Sequence, residues 1–432
     1  MRRVIIIHYH LNPGGVTRII ESQIKALKGY KPSLKITVIT GHCSDPGYIK
    51  SLGADIFVCE KLNYLSPEEA DPEAVYRSIR DFLTAHIHVD DIVHVHNLNL
   101  GKNPLLTLVV SGFVDKGFKV VNHAHDFAED REQNRQFLKH IIRDRFDREL
   151  TGVLYPDKPN LFHITLNSFD KRRLMALGVN EERSFLLPNP VSLNKVPAVK
   201  NNSRLKAEMC TRLHLDPAKK LVTYPVRVIR RKNIGEYVLM TVLFSDKANW
   251  LVTQPPKNPA EITPYNRWKE FCTEQGIPLV FEAGVRVDFE DLLLASDFCF
   301  TTSIKEGFGM VYLEPWLFFT PVIGRDISQV TEDLKRSGIE FPLLYDGIRV
   351  PFENQMVDFP VLSVADQQTF ISNVLRDESV RNKVFEENPC LETLLNFNNR
   401  SIIENNRSTI IKEFSLLNYA KRLEEIYQKI AG

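Results

Sequence analysis

The 432 residues carry 55 basic against 54 acidic side chains, a formal net charge of +1, with 43% hydrophobic and 25% charged residues. This is the composition of a globular chain long enough for two or three ordinary domains. The charge balance supplies no basic field for nucleic acid, no stretch approaches the roughly 18 apolar residues of a membrane span, and the six cysteines contain no CxxC pair, so neither a disulfide framework nor a zinc site is expected.

The chain opens on "MRRVIIIHYH". Its apolar run, Val4 to Ile7, is too short for the core of a secretory signal, and His8 and His10 end it, so a cytoplasmic protein is expected. Strands are predicted at "RVIIIHY" (3–9), "KITVIT" (35–40), "DIFVC" (55–59), "DIVHVH" (91–96), "FKVVNHA" (118–124) and "LFHITL" (161–166), with amphipathic helical patterns at 16–28, 71–86 and 104–116 between them. Short continuous apolar strands alternating with helices imply a parallel sheet covered on both faces.

A seam is expected near "LPNPVSLNKVPAVKNNSR" (187–204), which holds three prolines and a polar cluster. Beyond it the same grammar returns with "KLVTYPV", "NWLVTQ", "PLVFEA", "DFCFTTS" and "TPVIG". The stretch 384–408 is polar and Asn-rich and supports no assignment. The final "FSLLNYAKRLEEIYQKIA" is an amphipathic helix with Leu416, Leu417, Tyr419, Ala420, Leu423, Ile426, Tyr427 and Ile430 on one side. The expected architecture is α/β: two doubly wound, Rossmann-like parallel-sheet lobes, 1–198 and 199–411, facing a central cleft. A helix at 412–432 closes the structure, packing back on the first lobe. Ligands of such sheets lie at the carboxyl ends of the strands.

Four stretches carry chemistry. In "KEGFGMVYLEP" (305–315) Glu306 and Glu314 flank a glycine-rich turn that is expected to open a helix near Met310. Gly307 and Gly309 permit positive φ or close approach of a ligand, and the first amides of the helix, at Met310 and Val311, form an anion site. A capping role explains Glu306 but not Glu314; a ligand bearing both phosphate and hydroxyls explains both. In "YPVRVIRRKNIGE" (224–236) Arg227 and Lys232 stand where a diphosphate would lie, whereas Arg230 and Arg231 read as a solvated basic turn. "IIIHYHLNPGGVTRIIE" (5–21) places Gly14 and Gly15 at a helix start, without the spacing of a dinucleotide or Walker loop. Finally, His8/His10, His94/His96 and His123/His125 each end a predicted strand. No carboxylate pattern completes a metal site there, and His125, followed by Asp126, is the best candidate to act on a substrate hydroxyl or leaving group.

These pieces, in this order, resemble the retaining nucleotide-sugar glycosyltransferases of the GT-B fold, the large family four. The resemblance covers nearly the whole chain. "EGFGMVYLE" matches the family's Glu, seven residues, Glu signature, and "LLPNPV", "RVIRRKN", "DIVHVHN", "NHAHDF", "PGGV" and "FSLLNYAKRLEEIY" match weaker patterns. The resemblance implies that Glu306 contacts the donor sugar and Glu314 the ribose. It puts the backbone of Gly307, Phe308, Gly309, Met310 and Val311, with Arg227 and Lys232, on the diphosphate. Gly14 and Gly15 would approach the substrates, His125 would line the reaction centre, and the base would lie near Gly284 and Val285. Val226 and Asn233 stand where the family usually has glycine, and "TQPPKNPAE" replaces its usual glycine-rich turn.

The implied reaction is transfer of a hexose from a nucleotide-diphosphate sugar, of UDP-glucose or GDP-mannose type, to an acceptor hydroxyl with retention. The chain contains no Asp-x-Asp, and the expectation is that no cofactor or metal is required. Arg18, Asn97, Asp126 and Arg131, in or beside the loops 97–103 and 127–135, are the candidate acceptor contacts, and the two arginines point to an anionic acceptor. The alternatives are a sugar-nucleotide epimerase of the same fold and a non-catalytic sugar-nucleotide-binding protein. Acceptor identity, oligomeric state and a peripheral membrane contact stay open.

Overall fold

The computed structural model of the chain describes residues 3–191, 197 and 202–432. Most of the predicted seam, including the boundary at 198/199, lies outside the described residues. Two compact units are present: Met1–Ser192 together with Lys412–Gly432, and Leu193–Ile411.

The first unit holds a parallel sheet of seven strands: β1 (Val4–His8), β2 (Ile36–Thr40), β3 (Asp55–Val58), β4 (Ile92–His96), β5 (Lys119–Ala124), β6 (Leu161–Thr165) and β7 (Ser184–Leu186). Their order is β3-β2-β1-β4-β5-β6-β7. β1, β2, β4 and β6 are buried at every position, as expected of strands covered on both faces. The order reverses between β1 and β4, so the loops leaving these two strands diverge and open a crevice at their carboxyl ends. Helix Gly15–Tyr30 follows β1 and helix Pro104–Asp115 follows β4. The second has proline at its first position and Asn103 as cap, whose side chain accepts from the Leu106 N–H at 3.2 Å. β7 has only three residues, too few to give an apolar run.

The C-terminal helix, Leu416–Ala431, belongs to this unit and packs on helix Gly15–Tyr30. It buries Tyr419, Ala420, Leu423, Ile426, Tyr427 and Ile430 with Ile20, Ile24 and Leu27. Leu417, expected on the apolar side, is 54% exposed; it lies one residue, about 100°, from Leu416.

The second unit holds β8 (Lys220–Arg227), β9 (Ala248–Gln254), β10 (Leu279–Val280), β11 (Phe298–Thr301), β12 (Val322–Arg325) and β13 (Leu344–Tyr345), all parallel, in the order β10-β9-β8-β11-β12-β13. Here the reversal falls between β8 and β11. An antiparallel hairpin, β14 (Arg349–Phe352) and β15 (Gln355–Asp358), turns through Glu353 and Asn354, both at positive φ. "PLVFEA" yields only the two residues of β10, because Glu282 adopts φ 63° and turns the chain into the short helix Ala283–Arg286. The unassigned stretch 384–408 resolves into the end of helix Glu378–Glu387, a turn at Pro389–Glu392 and most of helix Arg400–Glu413. Among the described residues no helix is long and apolar enough to cross a membrane.

Candidate functional site

In the second unit, β8 and β11 deliver the two halves of a charged cluster. After β8 the chain makes one 3-10 turn, Arg230–Lys232, and helix Ile234–Leu243 begins. Between them Asn233 adopts φ 53°. This is the left-handed conformation that glycine adopts freely, and asparagine is among the few other residues that adopt it readily. Lys232 is thereby turned inward and is only 8% exposed. Its carbonyl accepts from the hydroxyls of Tyr224 and Thr302, and Thr302 Oγ1 also donates to the Asn233 carbonyl at 2.8 Å.

Glu306, five residues past the end of β11, meets two of the three cations of that turn. Its Oε1 accepts from Lys232 Nζ and its Oε2 from Arg231 Nη1 at 2.9 Å. The same Arg231 nitrogen donates to the Lys305 carbonyl at 2.9 Å. Arg231 is exposed, as expected from sequence, but it is also paired: its partner lies 75 positions on, beyond the reach of any local pattern. Burial pushes the Glu306 carboxyl up, but Lys232 and Arg231 outweigh it and hold the group below the usual carboxylate range. Burial also pushes the Lys232 ammonium down, an effect that Glu306 partly offsets.

Of the two glycines in the loop, only Gly309 takes a positive φ, 80°. A Cβ there would sit 2.7 Å from the Tyr312 ring and 2.9 Å from Val330, so the position admits no side chain. The expected helix is a single 3-10 turn, Met310–Tyr312, followed by a four-residue helix, Glu314–Leu317. Pro315 sits in the first turn of that helix rather than inside it, and Glu314 opens it. So short a helix has little macrodipole, and the anion-binding capacity of this loop rests on its side-chain cations and first amides. Phe308 and Val311 are buried, which leaves only their backbone to offer. Arg227 ends β8 opposite Gln254, and its Nε donates to Gln254 Oε1 at 3.3 Å. At Gly284 a Cβ would lie 2.9 Å from the Thr253 carbonyl, while Val285 beside it is 71% exposed.

In the first unit the histidines gather at the carboxyl ends of β1, β4 and β5. His8, His94, His96, His123 and His125 are all buried, whereas His10, edge-on to the His8 ring at 5.9 Å, is half-buried against the Tyr64 ring at 4.8 Å. His96 Nε2 meets Gln23 Oε1 at 2.9 Å, and His96 Nδ1 meets His125 Nε2 at 2.8 Å. With the Gln23 carbonyl accepting, His96 carries its proton on Nε2. Its Nδ1 then accepts from His125 Nε2–H, and His125 keeps its lone pair on Nδ1. His94 Nδ1 meets the Tyr427 hydroxyl at 2.8 Å, so the C-terminal helix also fixes this group. Burial, with like-charged neighbours second, pushes His96, His123 and His125 well below the ordinary imidazole value, and burial alone takes most of the way the shifts of His8 to about 4 and His94 to about 3. The cluster is neutral at pH 7.

His94, His96 and His123 could each offer one nitrogen within 4.8 Å of the others. The His96 ring lies near-parallel to His94 (33°), His123 (30°) and His125 (15°). His94 and His123 instead meet edge-on at 63°, with His94 Nε2 and His123 Nδ1 3.2 Å apart, and among the described residues His123 Nε2 is buried without a hydrogen-bond partner.

Asn97, at φ 62°, accepts on Oδ1 from the backbone N–H groups of His125 (2.8 Å) and Asp126 (3.1 Å), and Asp126 pairs with Arg131 at 3.1 Å. The structure thus brings three of the four candidate acceptor residues to His125. Arg18 is exposed on helix Gly15–Tyr30, one turn past Gly14. A Cβ at Gly15 would meet nothing within 4 Å. Sequence reasoning missed Gln23, Tyr427 and Arg231, each of which acts through a partner remote in sequence.

No family model matches the chain. It is 31% identical over 332 residues to a mannosylglucosyl-3-phosphoglycerate synthase of Petrotoga mobilis, a match covering 73% of this chain and 63% of that protein. It thus spans less than two thirds of that relative's length. It is 26% identical over 369 residues to a mannosylglucosylglycerate synthase of Thermotoga maritima, covering 78% and 79%. Among solved structures, HepE of Anabaena bound to UDP-glucose matches with a TM-score of 0.61 at 13% identity over 99% of both chains. Sucrose-phosphate synthase of Thermosynechococcus elongatus matches with 0.61 at 16% identity over 100% and 99%. These likenesses establish the fold: two Rossmann-like parallel-sheet units of the GT-B type.

Proposed function

We propose that this GT-B chain is a glycosyltransferase that moves a hexosyl group, with retention, from a nucleotide-diphosphate sugar to a hydroxyl of a glucosylated glycerate or phosphoglycerate. The names of the two relatives favour a mannosyl donor and such an acceptor. The observation that carries the reading is the buried Glu306 held between Lys232 and Arg231 at the ends of β8 and β11.

Cleaving a sugar–diphosphate bond leaves an electron-poor, oxocarbenium-like sugar and a departing diphosphate. In the proposed reaction Lys232, Arg231 and Arg227, with the amides of Met310 and Val311, take the charge that grows on the leaving oxygen. Glu306 accepts from hydroxyls of the sugar and Glu314 from the ribose, while the base lies against Gly284 and Val285. Gly14 and Gly15 leave room for the substrates beside β1. The acceptor belongs to the first unit, where His125, neutral and with its lone pair on Nδ1, accepts a hydrogen bond from a hydroxyl of the bound sugar. The departing diphosphate takes the acceptor's proton. No divalent ion is required, since positive side chains occupy the role that an Asp-x-Asp-bound metal plays elsewhere. The six cysteines, all free, suit a reducing compartment.

The test is turnover of GDP-mannose and UDP-glucose with glucosyl-3-phosphoglycerate and glucosylglycerate as acceptors. Formation of a trisaccharide-like product from one donor is expected; an epimerised donor, or binding with no product from any pairing, would contradict the reading.

A further inference from the structure

The loops after β1, β3 and β4 meet on one aromatic ring. Tyr64 lies 5.5 Å from Tyr9 and 4.8 Å from His10, and Lys102 Nζ stands 5.4 Å from the Tyr64 ring centroid. These positions are fixed by the backbone. The Leu65 N–H donates to the Lys102 carbonyl at 2.9 Å, and Asn103 Nδ2 donates to the carbonyls of Lys61 (2.9 Å) and Asn63 (2.8 Å). Gly101, at φ 76°, lies so close to Leu138 and the Asn134 carbonyl that a Cβ would come within 2.9 Å of both, and Asn134 Nδ2 donates to the Leu100 carbonyl at 2.8 Å. The loop bearing Lys102 is therefore locked to the loop after Tyr64 on one side and to helix Glu132–Lys139, which Arg131 precedes, on the other.

The charge there is unbalanced. Lys102 is half-buried, and among the described residues no carboxylate pairs with it. Arg131 is near enough that its charge adds to burial, the larger cause, in pushing the Lys102 ammonium down. Asp126, the carboxylate beside it, is paired with Arg131 at 3.1 Å. A half-buried lysine with a like-charged neighbour and no paired carboxylate among the described residues is destabilised in the empty protein, and an arriving anion relieves it with charge-assisted hydrogen bonds.

We propose that Lys102 and Arg131, backed by Tyr64, form an anion subsite of the first unit that holds the phosphate or carboxylate of the acceptor's glycerate group. This rests on the glycosyl-transfer reading for the identity of the whole acceptor, but not for the existence of the subsite. Isothermal titration of the protein with 3-phosphoglycerate, and separately with glycerate, tests it without turnover. Wild type should bind, and Lys102→Met and Arg131→Met should each weaken binding about ten- to a hundredfold, the range for one charged hydrogen bond. Lys102→Arg should recover most of the loss, and Arg135→Met, an exposed charge on the neighbouring helix, should change nothing. Tighter binding of 3-phosphoglycerate than of glycerate assigns the subsite to phosphate, and the reverse assigns it to carboxylate. In transfer assays the two methionine variants should raise KM for the anionic acceptor more than for a neutral glucoside. Equal binding by wild type and both methionine variants, in protein still stabilised by nucleoside diphosphate, overturns the subsite. Absence of transfer with any acceptor, alongside Lys102-dependent binding, would instead overturn the reaction and leave the subsite standing.

Discussion

At the residue scale, two neighbouring arginines separate what sequence reveals from what it hides. Arg230 and Arg231 look alike in "RVIRRKN", yet only Arg231 reaches Glu306. Replacing Arg231 with alanine is expected to lower kcat/KM about ten- to a hundredfold, as for loss of one charged hydrogen bond, whereas Arg230→Ala should stay near wild type. Lys232→Ala should cost about a hundredfold or more in kcat, the scale for removing one preorganised donor to a leaving group. Steady-state kinetics on folded variants checks all three, and near-normal rates for Lys232→Ala and Arg231→Ala together would remove the diphosphate assignment. Lys232 and Glu306 were legible as separate candidates because each lies in a recognisable pattern. Their ion pair was not, since a linear pattern carries no distance between residue 232 and residue 306. Likewise Gln23 and Tyr427 sit in ordinary amphipathic helices, and nothing local marks them as partners of His94 and His96.

At the scale of elements, strands were legible wherever both faces are buried, because the apolar run is then continuous. They were illegible or overextended where short: β7 and β13, of three and two residues, were not predicted, and "PLVFEA" shrank to the two residues of β10. The short hairpin of β14 and β15 is joined to the sheet by charge rather than by apolar contact alone. Arg325, at the end of β12, meets Glu236 through Nε at 2.8 Å and Asp358 of β15 through Nη1 at 2.8 Å. Tyr345 donates to Glu236 at 2.7 Å and Asn233 Nδ2 to the same carboxylate at 3.0 Å. Burial pushes the Glu236 carboxyl up, but it remains paired with a guanidinium held by two carboxylates. Asn233 links this network to the turn that aims Lys232. Arg325→Met should therefore destabilise the second unit by about 3–5 kcal/mol, the cost of leaving a buried carboxylate unpaired. Denaturant unfolding measures this, and a change below about 1 kcal/mol would show the network to be dispensable.

At the scale of the molecule, the same architecture appears twice, but the two units differ in chemistry. The second gathers charge around Glu306; the first gathers neutral imidazoles around His96. That difference predicts a pH response. A histidine whose folded pKa lies below its unfolded value binds its proton more readily when unfolded, so stability falls as pH drops through the window between the two. For His8, moved from 6.5 to about 4, the loss between pH 7 and pH 5 is about 2 kcal/mol, and His94, His96, His123 and His125 add in the same direction. Unfolding of the first unit, followed by tryptophan-independent probes at the two pH values, should show a marked drop by pH 5; an unchanged midpoint would mean that the imidazoles are solvated. The central claim is transfer of a hexose with retention and without a metal. Proton NMR of GDP-mannose with glucosyl-3-phosphoglycerate in the presence of EDTA tests it most directly. The account predicts a new α-linked mannoside accumulating as GDP is released; a β-linked product, free mannose alone, or no reaction until a divalent ion is restored would contradict it.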